Sequence, residues 1–587
     1  MRITIAIIAM LLILTCITPF IQAQKIPVTF TLGWVGVIKF NPFAGYAYGI
    51  YRSALYGTLF RYDENLNPVP WVAEKYERID PTTVIVYLRK DVKWHDGKPF
   101  TAEDVKFTFD LILKYKGAMS RFMTGVKEAI VRDSYTIEIK LKEPIGPLPW
   151  LTSVYFVPKH IWTEKGITDE KCLTYEYIPP IGYGPFKFVE WKPGEYLVLE
   201  AFNEFFAGKP KIDRLVIRLF AEHETMIAAF RAKELDAVAE IPASAIPELE
   251  KISGVKVIKE VIPRFDDIYI NLARNGSQHP ALLDREVRWA LLHAIDVDYL
   301  INNLYYGAPV KAFSIIPPSF GRYYAKEYEN IRPKFNLTKA AEILEKAGYV
   351  DKNGDGIRET KDGKPLKFRF WVYNGFPLGA RVAEILRDWW LKIGVDIDYV
   401  LMEGGVLWDK ISKTTDWDLA MWGWTVHDES SILYAWTSEA AGVYSSSWLQ
   451  DVKYDEMYYK QLKTLNDEER AKVIKEMQRY IIENVYDVTL WYTATIEAYW
   501  ANKWEGIAPK PGGAFRPYGH NSLMYLNIKL KEETTTPIPT TTPITTTPTL
   551  TTPTPSYIDL TLISLIAIIL IVIVVIIAVL TRRRKRE

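Results

Sequence analysis

The sequence predicts an α/β body of two or more lobes, and three observations carry that prediction. The chain has 587 residues, whereas a single hydrophobic core stops growing at roughly 250–300 residues. Segments with the apolar alternation of half-buried strands are interleaved with segments of helical period. No internal repeat of 20–50 residues is present, which excludes a solenoid or propeller.

Residues 82–89 (TTVIVYLR), 135–141 (YTIEIKL), 196–202 and 214–220 alternate or run apolar as strands do. Between them, Thr101-Ala102-Glu103-Asp104 has capping-box form ahead of Val105, Phe107 and Phe109, which predicts a helix over 102–115. Asp284 caps a second predicted helix over 285–304, with Val287, Ala290, Leu291, Ala294 and Ile295 on one face. A third is predicted over 381–392.

Aromatic residues make up 14% of the chain, with 19 Trp and 36 Tyr, more rings than a core alone needs, so some are candidates to line a site. Setting aside Arg2 and the five basic residues of the C-terminus leaves 66 Lys and Arg; setting aside Asp559 and Glu587 leaves 69 Asp and Glu. The body over 24–533 is therefore near −3. No basic stripe with interleaved aromatics runs through it, so no nucleic-acid partner is expected. Cys16 and Cys172 are the only cysteines, too few for a disulfide framework or a Cys-based zinc site. Thr15 precedes Cys16 where a lipoprotein anchor usually has a smaller residue, so Cys16 is read as part of a signal peptide.

The ends assign a compartment. Met1-Arg2, an apolar run, then Gln22-Ala23-Gln24 read as a signal peptide over 1–23. Residues 560–580 are apolar apart from Thr561 and Ser564, and at about 1.5 Å per residue they span a bilayer's hydrocarbon core. A transmembrane helix is expected over 557–581. The basic tail 582–587 stays cytoplasmic, giving a single-pass cell-membrane protein with a C-terminal anchor and an extracellular body. Residues 534–556 hold 13 Thr and 6 Pro, the composition of an extended stalk suited to O-glycosylation. Asn275-Gly276-Ser277 and Asn336-Leu337-Thr338 have the form of N-glycosylation acceptors. The same plan serves a stalked ectoenzyme.

Several blocks carry a family resemblance. They are Leu88-Arg89-Lys90, Trp94-His95-Asp96-Gly97-Lys98-Pro99-Phe100-Thr101-Ala102-Glu103-Asp104-Val105, Gly182-Tyr183-Gly184-Pro185-Phe186, Trp191-Lys192-Pro193-Gly194 and Gly208-Lys209-Pro210-Lys211-Ile212-Asp213. Asp284 to Ala290, Ala294-Ile295-Asp296 and 340–349 (AAEILEKAGY) continue in the same order. The chain resembles the ABC transporter extracellular solute-binding proteins of family 5, the dipeptide/oligopeptide-binding type, in an archaeal membrane-anchored form. The resemblance implies a class II periplasmic-binding-protein-like fold, two lobes closing on a ligand with an inserted subdomain in lobe I. Carried onto this sequence, lobe I comprises 24–50, 178–262 and 495–533, the inserted subdomain 51–177, and lobe II 263–494, with crossings near 262–267 and 489–499. The implied function is a receptor that delivers solute to permease subunits driven by separate ATPase subunits, since no phosphate-binding loop is present here. No cofactor is expected.

The resemblance also implies where ligand is held. Peptide-binding members pair an extended peptide with lobe strands and read its ammonium with an Asp three residues after a Trp. Here Trp422 and Trp424 precede His427 and Asp428, so the Asp comes one place late. Asp428 facing an ammonium implies peptide; His427 with the two Trp rings equally suits an oligosaccharide; packing of both rings in the core is the plainer alternative. Tyr373 and Asn374 lie where relatives contact peptide main chain, Arg381 is a carboxylate clamp or a solvated helix residue, and Tyr46, with Tyr48 and Tyr51, is a cleft candidate.

Catalysis is not expected. His95-Asp96-Gly97 has no accompanying nucleophile and reads as a turn; Asp266 and Asp267 are adjacent on a strand and point to opposite faces; no HExxH or GxSxG is present. A sensor or adhesin remains the alternative outside transport. Asp351, Asn353, Asp355, Gly356 and Asp362 match positions 1, 3, 5, 6 and 12 of a calcium loop, although position 12 usually carries Glu, and a Gly/Asp-rich turn explains them as well.

Overall fold

The computed structural model describes residues 26–43, 50–63, 67–123, 125–445, 447–508, 514–515 and 523–532. The expected signal peptide, stalk, transmembrane helix, basic tail and Tyr46 lie outside them. Among the described residues no helix is long and apolar enough to cross a membrane.

The predicted strands form within a residue or two of their expected bounds, as Thr83–Leu88, Thr136–Leu141, Tyr196–Ala201 and Arg214–Leu219. The first two are the centre of a four-stranded antiparallel sheet flanked by Ala73–Asp80 and Val126–Asp133. The helix Ala102–Tyr115 packs beside that sheet, and its capping box forms between Thr101 and Asp104. The second predicted helix is two helices. Arg285–His293 ends at Ala294, and Val297–Leu304 restarts because the Asp296 side chain accepts from the Tyr299 N–H at 2.9 Å; a cap residue inside an apolar periodic run breaks the helix without breaking the pattern. The third runs Gly379–Leu391.

A larger mixed sheet of 11 strands joins both halves of the body. Its middle is a pair of long antiparallel strands, the first crossing strand Val255–Ile270 and the second crossing strand Asp487–Trp500. On one side the sheet continues through Ala237–Val238, Thr29–Trp34, Arg214–Leu219, Tyr196–Ala201 and Phe186–Lys192; on the other through Leu419–Thr425, Lys367–Tyr373 and Asp396–Met402, and the short strand Val310–Lys311 pairs with the second crossing strand off this path.

Two separate cores hang on this sheet. One gathers residues from Phe30 to Ile258 and from Ile496 to Ile528, together with Ala308; the other draws on residues from Phe265 to Tyr492. The chain passes between them where the crossing strands lose register, with Val261 opposite Ala494 but Phe265 opposite Tyr492. Pro263 sits in that irregularity. Proline has no N–H for a ladder and is accommodated in strands at bulges, and its carbonyl still accepts from Val426 N–H at 2.7 Å. The result is a two-lobed α/β protein whose lobes are linked by two strands bent at one level.

The motif Gly182-Tyr183-Gly184 has a packing cause. A Cβ on Gly182 would lie 2.0 Å from the Leu55 carbonyl oxygen and one on Gly184 2.4 Å from that of Ala54. Only glycine permits this approach, which lets the amides of Tyr183 and Gly184 donate to the Leu55 carbonyl at 3.0 and 2.9 Å.

Candidate binding site

The strand Leu419–Thr425 builds one wall of the site. Along its whole length it pairs with the first crossing strand, Arg264 opposite Thr425 through Ile270 opposite Leu419. Its other neighbour, Lys367–Tyr373, accompanies it only from Leu419 to Met421. Among the described residues, 422–425 therefore have strand pairing on one edge only. The last aromatic of this edge opens on a cavity of about 660 Å³ lined by Trp424, Thr425, His427, Asp428, Ser431, Tyr434 and Tyr444 from one core's side and by Lys116, Ser120, Arg121 and Phe122 from the other's.

The second wall follows the helix Ala102–Tyr115. Lys116 ends that helix with φ +50, and the chain turns into the short 3₁₀ segment Ala118–Met123. There Phe122 meets the His427 ring edge-on with centroids 5.8 Å apart, and the Arg121 guanidinium lies 4.7 Å from the Phe122 centroid. Elsewhere the halves are joined by the Gly146 N–H, which donates to the Leu462 carbonyl at 2.7 Å.

The Trp424 ring is 8% exposed and its indole nitrogen has no acceptor among the described residues. Trp422 is half-buried between Tyr373, centroids 5.1 Å apart, and Trp408, 6.0 Å; Trp408 also contacts Trp424 and Tyr444. These rings form a continuous aromatic bank. Asp428 is 6% exposed, and one carboxylate oxygen accepts from the Ser431 N–H at 2.8 Å. Its neighbour Glu429 pairs with the buried Arg470 at 2.5 Å.

Of the candidates, Trp424, His427 and Asp428 line the cavity and Tyr373 and Trp422 flank it. Asn374 is exposed, with its N–H donating to the Met402 carbonyl at 2.8 Å, and Arg381 pairs on the surface with Glu384 at 2.9 Å; neither lines the cavity. Sequence reasoning missed Lys116, Arg121, Phe122, Trp408 and Tyr444. Lys116-Gly117 after a helix marks a turn, but nothing local tells that the turn faces residues 300 positions later.

The remaining motifs have structural roles. His95 spans Gly182 and Gly184: Nδ1 accepts from the Gly182 N–H at 3.2 Å, so Nε2 carries the proton donated to the Gly184 carbonyl at 3.0 Å. Burial pushes its pKa down to about 4. Asp266 accepts from Trp491, Thr493 and Arg264, whereas Asp267, on the opposite face, is fully buried beside Asp487. Burial pushes both Asp267 and Asp487 up; the neighbouring Asp487 raises Asp267 further, whereas the contact with Asp267 works against the rise at Asp487, and no solvent reaches Asp267.

In the loop, Asp351 accepts from the amides of Gly354 and Gly356, and Asn353 from that of Asp355. The carboxylates that approach one another there are Asp351, Asp355 and the buried Glu359, within 4.8 Å. Asp362 is not among them and accepts from the Thr360 hydroxyl at 2.5 Å.

A family model described as bacterial extracellular solute-binding proteins, family 5 middle, matches residues 67–443. The chain belongs to this family. Family 5 comprises extracellular solute-binding receptors rather than enzymes, and the described body is accordingly an extracellular solute-binding domain. The oligopeptide-binding protein AppA of Bacillus subtilis (strain 168) is 28% identical over 452 residues, covering 75% of this chain and 81% of the relative. The dipeptide-binding protein of Escherichia coli (strain K12) is 27% identical over 414 residues, covering 66% and 74%. Among solved structures, AppA from Bacillus subtilis in complex with a nonapeptide matches with TM-score 0.68 and 25% identity over 86% of this chain and 100% of that one. NikZ from Campylobacter jejuni in complex with Ni(L-His) matches with TM-score 0.70 and 26% identity over the same shares.

Proposed function

We propose that this family 5 protein is the peptide-capturing receptor of an ABC importer, taking di- or oligopeptides between its lobes and passing them to permease subunits with separate ATPase subunits. The observation that carries the reading is the half-paired strand at 422–425, ending at a cavity between the two cores. A strand with one open edge offers unpaired main-chain donors and acceptors, which an extended peptide satisfies by strand addition. The oligopeptide- and dipeptide-binding names of the relatives point the same way.

The lobe assignment goes with this proposal: lobe I as 24–50, 178–262 and 495–533 with 51–177 inserted, and lobe II as 263–494. Its support is the change of core between Ile258 and Phe265 and between Tyr492 and Ile496. Bending at that level is how two lobes joined by a pair of strands close on a ligand. The proposed site comprises Trp422, Trp424, His427, Asp428 and Tyr373; Asn374 and Arg381 do not line the cavity, and Tyr46 lies outside the described residues. A signal peptide, Thr/Pro stalk and C-terminal membrane helix would hold this body outside an archaeal cell, with Asn275 and Asn336, both exposed, as glycan acceptors.

The aromatic bank of Tyr373, Trp422 and Trp408 supports a second ligand class, since sugar faces stack on such rings. Thermal unfolding of the full-length protein against panels of di- to pentapeptides and of α- and β-linked oligosaccharides separates the two, because a ligand bound only by the folded state raises its stability. A shift with peptides alone supports the proposal; a shift with sugars alone overturns it in favour of an oligosaccharide receptor.

A further inference from the structure

The crossing strands are not the only connection between the two cores. The segment 51–177 packs into the first core together with residues of 24–50 and 178–258, so it is carried with them. Away from the cavity wall it also touches residues of the second half at Tyr62, Asn67 and Gly146. Tyr62 and Asn67 flank the hairpin of Phe60–Tyr62 and Pro68–Pro70. The Tyr62 ring packs against the second core, near the charges of Glu429 and Arg470, and its hydroxyl accepts from the Thr152 hydroxyl at 2.8 Å. Asn67 is held on the hairpin by Asp63, which accepts from its main-chain N–H at 2.8 Å, and its side-chain carbonyl accepts from Arg322 at 3.1 Å. Gly146 donates its N–H to the Leu462 carbonyl at 2.7 Å, while its own carbonyl accepts from Arg78 of its own segment at 3.3 Å. A Cβ at Gly146 would lie 2.3 Å from the Thr464 carbonyl oxygen and 3.0 Å from Cδ of Arg470, so only glycine permits the approach. Arg470, its side chain 2% exposed, is paired with Glu429, and this ion pair is thus covered in part by residues of the other half.

We propose that this seam is a latch: it holds the inserted segment on lobe II while the cleft is empty, so that the closed form is populated without ligand and the seam helps to set ligand affinity. The inference rests on the lobe assignment proposed above, in which 51–177 travels with lobe I while Arg322, Leu462 and Arg470 belong to lobe II. Every contact of the seam crosses between bodies that separate when the cleft opens, and each is made by the protein alone. Contacts present in the closed form and absent from the open one shift the population towards closure. A ligand that binds only the closed form has an apparent affinity reduced by whatever fraction of the protein is open, so a stronger seam gives tighter binding with no new ligand contact. The composition suits a device that releases. A main-chain bond, a bond from the exposed Arg322 and one ring beside an ion pair hold the lobes, whereas a large apolar interface would fix them permanently. Opening also returns the covered ion pair towards water, where its charges are solvated, so separation is not prohibitive.

The test reads the separation of the lobes in the ligand-free, full-length protein by electron spin distance measurement. Nitroxide labels go on Lys90→Cys in the inserted segment and Lys472→Cys in lobe II, two exposed positions outside the seam. Cys16→Ser removes one native cysteine, and Cys172 is fully buried. Empty wild type is expected to show a dominant distance band matching this structure. Gly146→Ala is expected to move the population to longer distances, and Arg322→Ala to move it in part. The three atoms nearest a Cβ at position 146 all belong to Thr464 and Arg470, so alanine there disturbs the seam and not its own segment. Calorimetric titration with a peptide that stabilises the protein is expected to give affinity weaker by about tenfold in Gly146→Ala and by about threefold or less in Arg322→Ala. An empty wild type already at the longer distance overturns the inference, as does a Gly146→Ala variant whose distances superpose on those of wild type. If neither peptides nor sugars bind, the receptor reading fails by itself, and the distances, measured without ligand, still decide the latch.

Discussion

Trp94-His95-Asp96 and Trp424, His427 and Asp428 use the same three residue types and end in different roles. The first set is finished by the protein itself: Trp94 is fully buried with its indole N–H donating to Asp104 at 3.3 Å, both His95 ring nitrogens are engaged, and Asp96 meets the His160 ring at 2.6 Å. The second leaves one atom unanswered, the Trp424 indole N–H, which has no acceptor among the described residues, while the His427 ring meets Phe122 edge-on across the cavity. Residue identity does not separate a structural turn from a binding site. What separates them is whether the fold supplies a partner for each polar atom or leaves one to be supplied from outside.

The comparison breaks most visibly at Trp94. Trp94→Ala is expected to cost about 3–5 kcal/mol of stability, as large-to-small core changes do, measured by denaturant unfolding; a loss under 1 kcal/mol would remove Trp94 from the core. Next, His95→Ala deletes two hydrogen bonds to the glycine turn and should cost about 2 kcal/mol. His95 also gives the comparison a pH signature. Its folded pKa of about 4 lies below its ordinary value of 6.5, so the folded state resists a proton that the unfolded chain takes up. Stability from this group is present above about pH 6.5 and is lost as pH falls towards 4. His95→Ala should flatten, though not abolish, that slope, because burial holds His279 at about 4 as well. An unaltered slope would contradict the assignment.

On the cavity side the effects are smaller in stability and larger in binding. Trp424→Phe keeps the ring and removes the unanswered donor. Ligand-free stability should change by less than about 0.5 kcal/mol, while affinity for the preferred ligand drops by about tenfold. His427→Ala, at a half-buried position, should cost less than about 1.5 kcal/mol of stability, well below Trp94→Ala. A large destabilisation by either would place the second set with the first.

Much of the frame was legible in the sequence because it depends on local chemistry. The capping box at Thr101 and Asp104 and the alternating strands announce themselves within a few residues, and the glycines at 182 and 184 mark a close approach without naming the partner. The break at Asp296 was hidden because the apolar period runs through it while the cap is a single side chain. The site was only half legible. Trp422, Trp424, His427 and Asp428 stand out as a cluster, but the direction of Asp428 depends on the Ser431 amide three residues on. Lys116, Arg121 and Phe122 become site residues only through pairing across some 300 positions, which no local pattern records. In the loop that the calcium template matches, the acid that approaches Asp351 and Asp355 is Glu359 rather than Asp362, because the chain folds back at Glu359 in a way that spacing alone does not record.

The central claim is that ligand pairs with the open edge of the strand at 422–425. Hydrogen exchange of the full-length protein, with and without a peptide that stabilises it, tests this directly, because main-chain amides that gain a partner exchange more slowly. The account predicts strong new protection at residues 422–425, accompanied by protection at 116–122 as the cavity is occupied. Protection elsewhere, with 422–425 exchanging at the ligand-free rate, would contradict it.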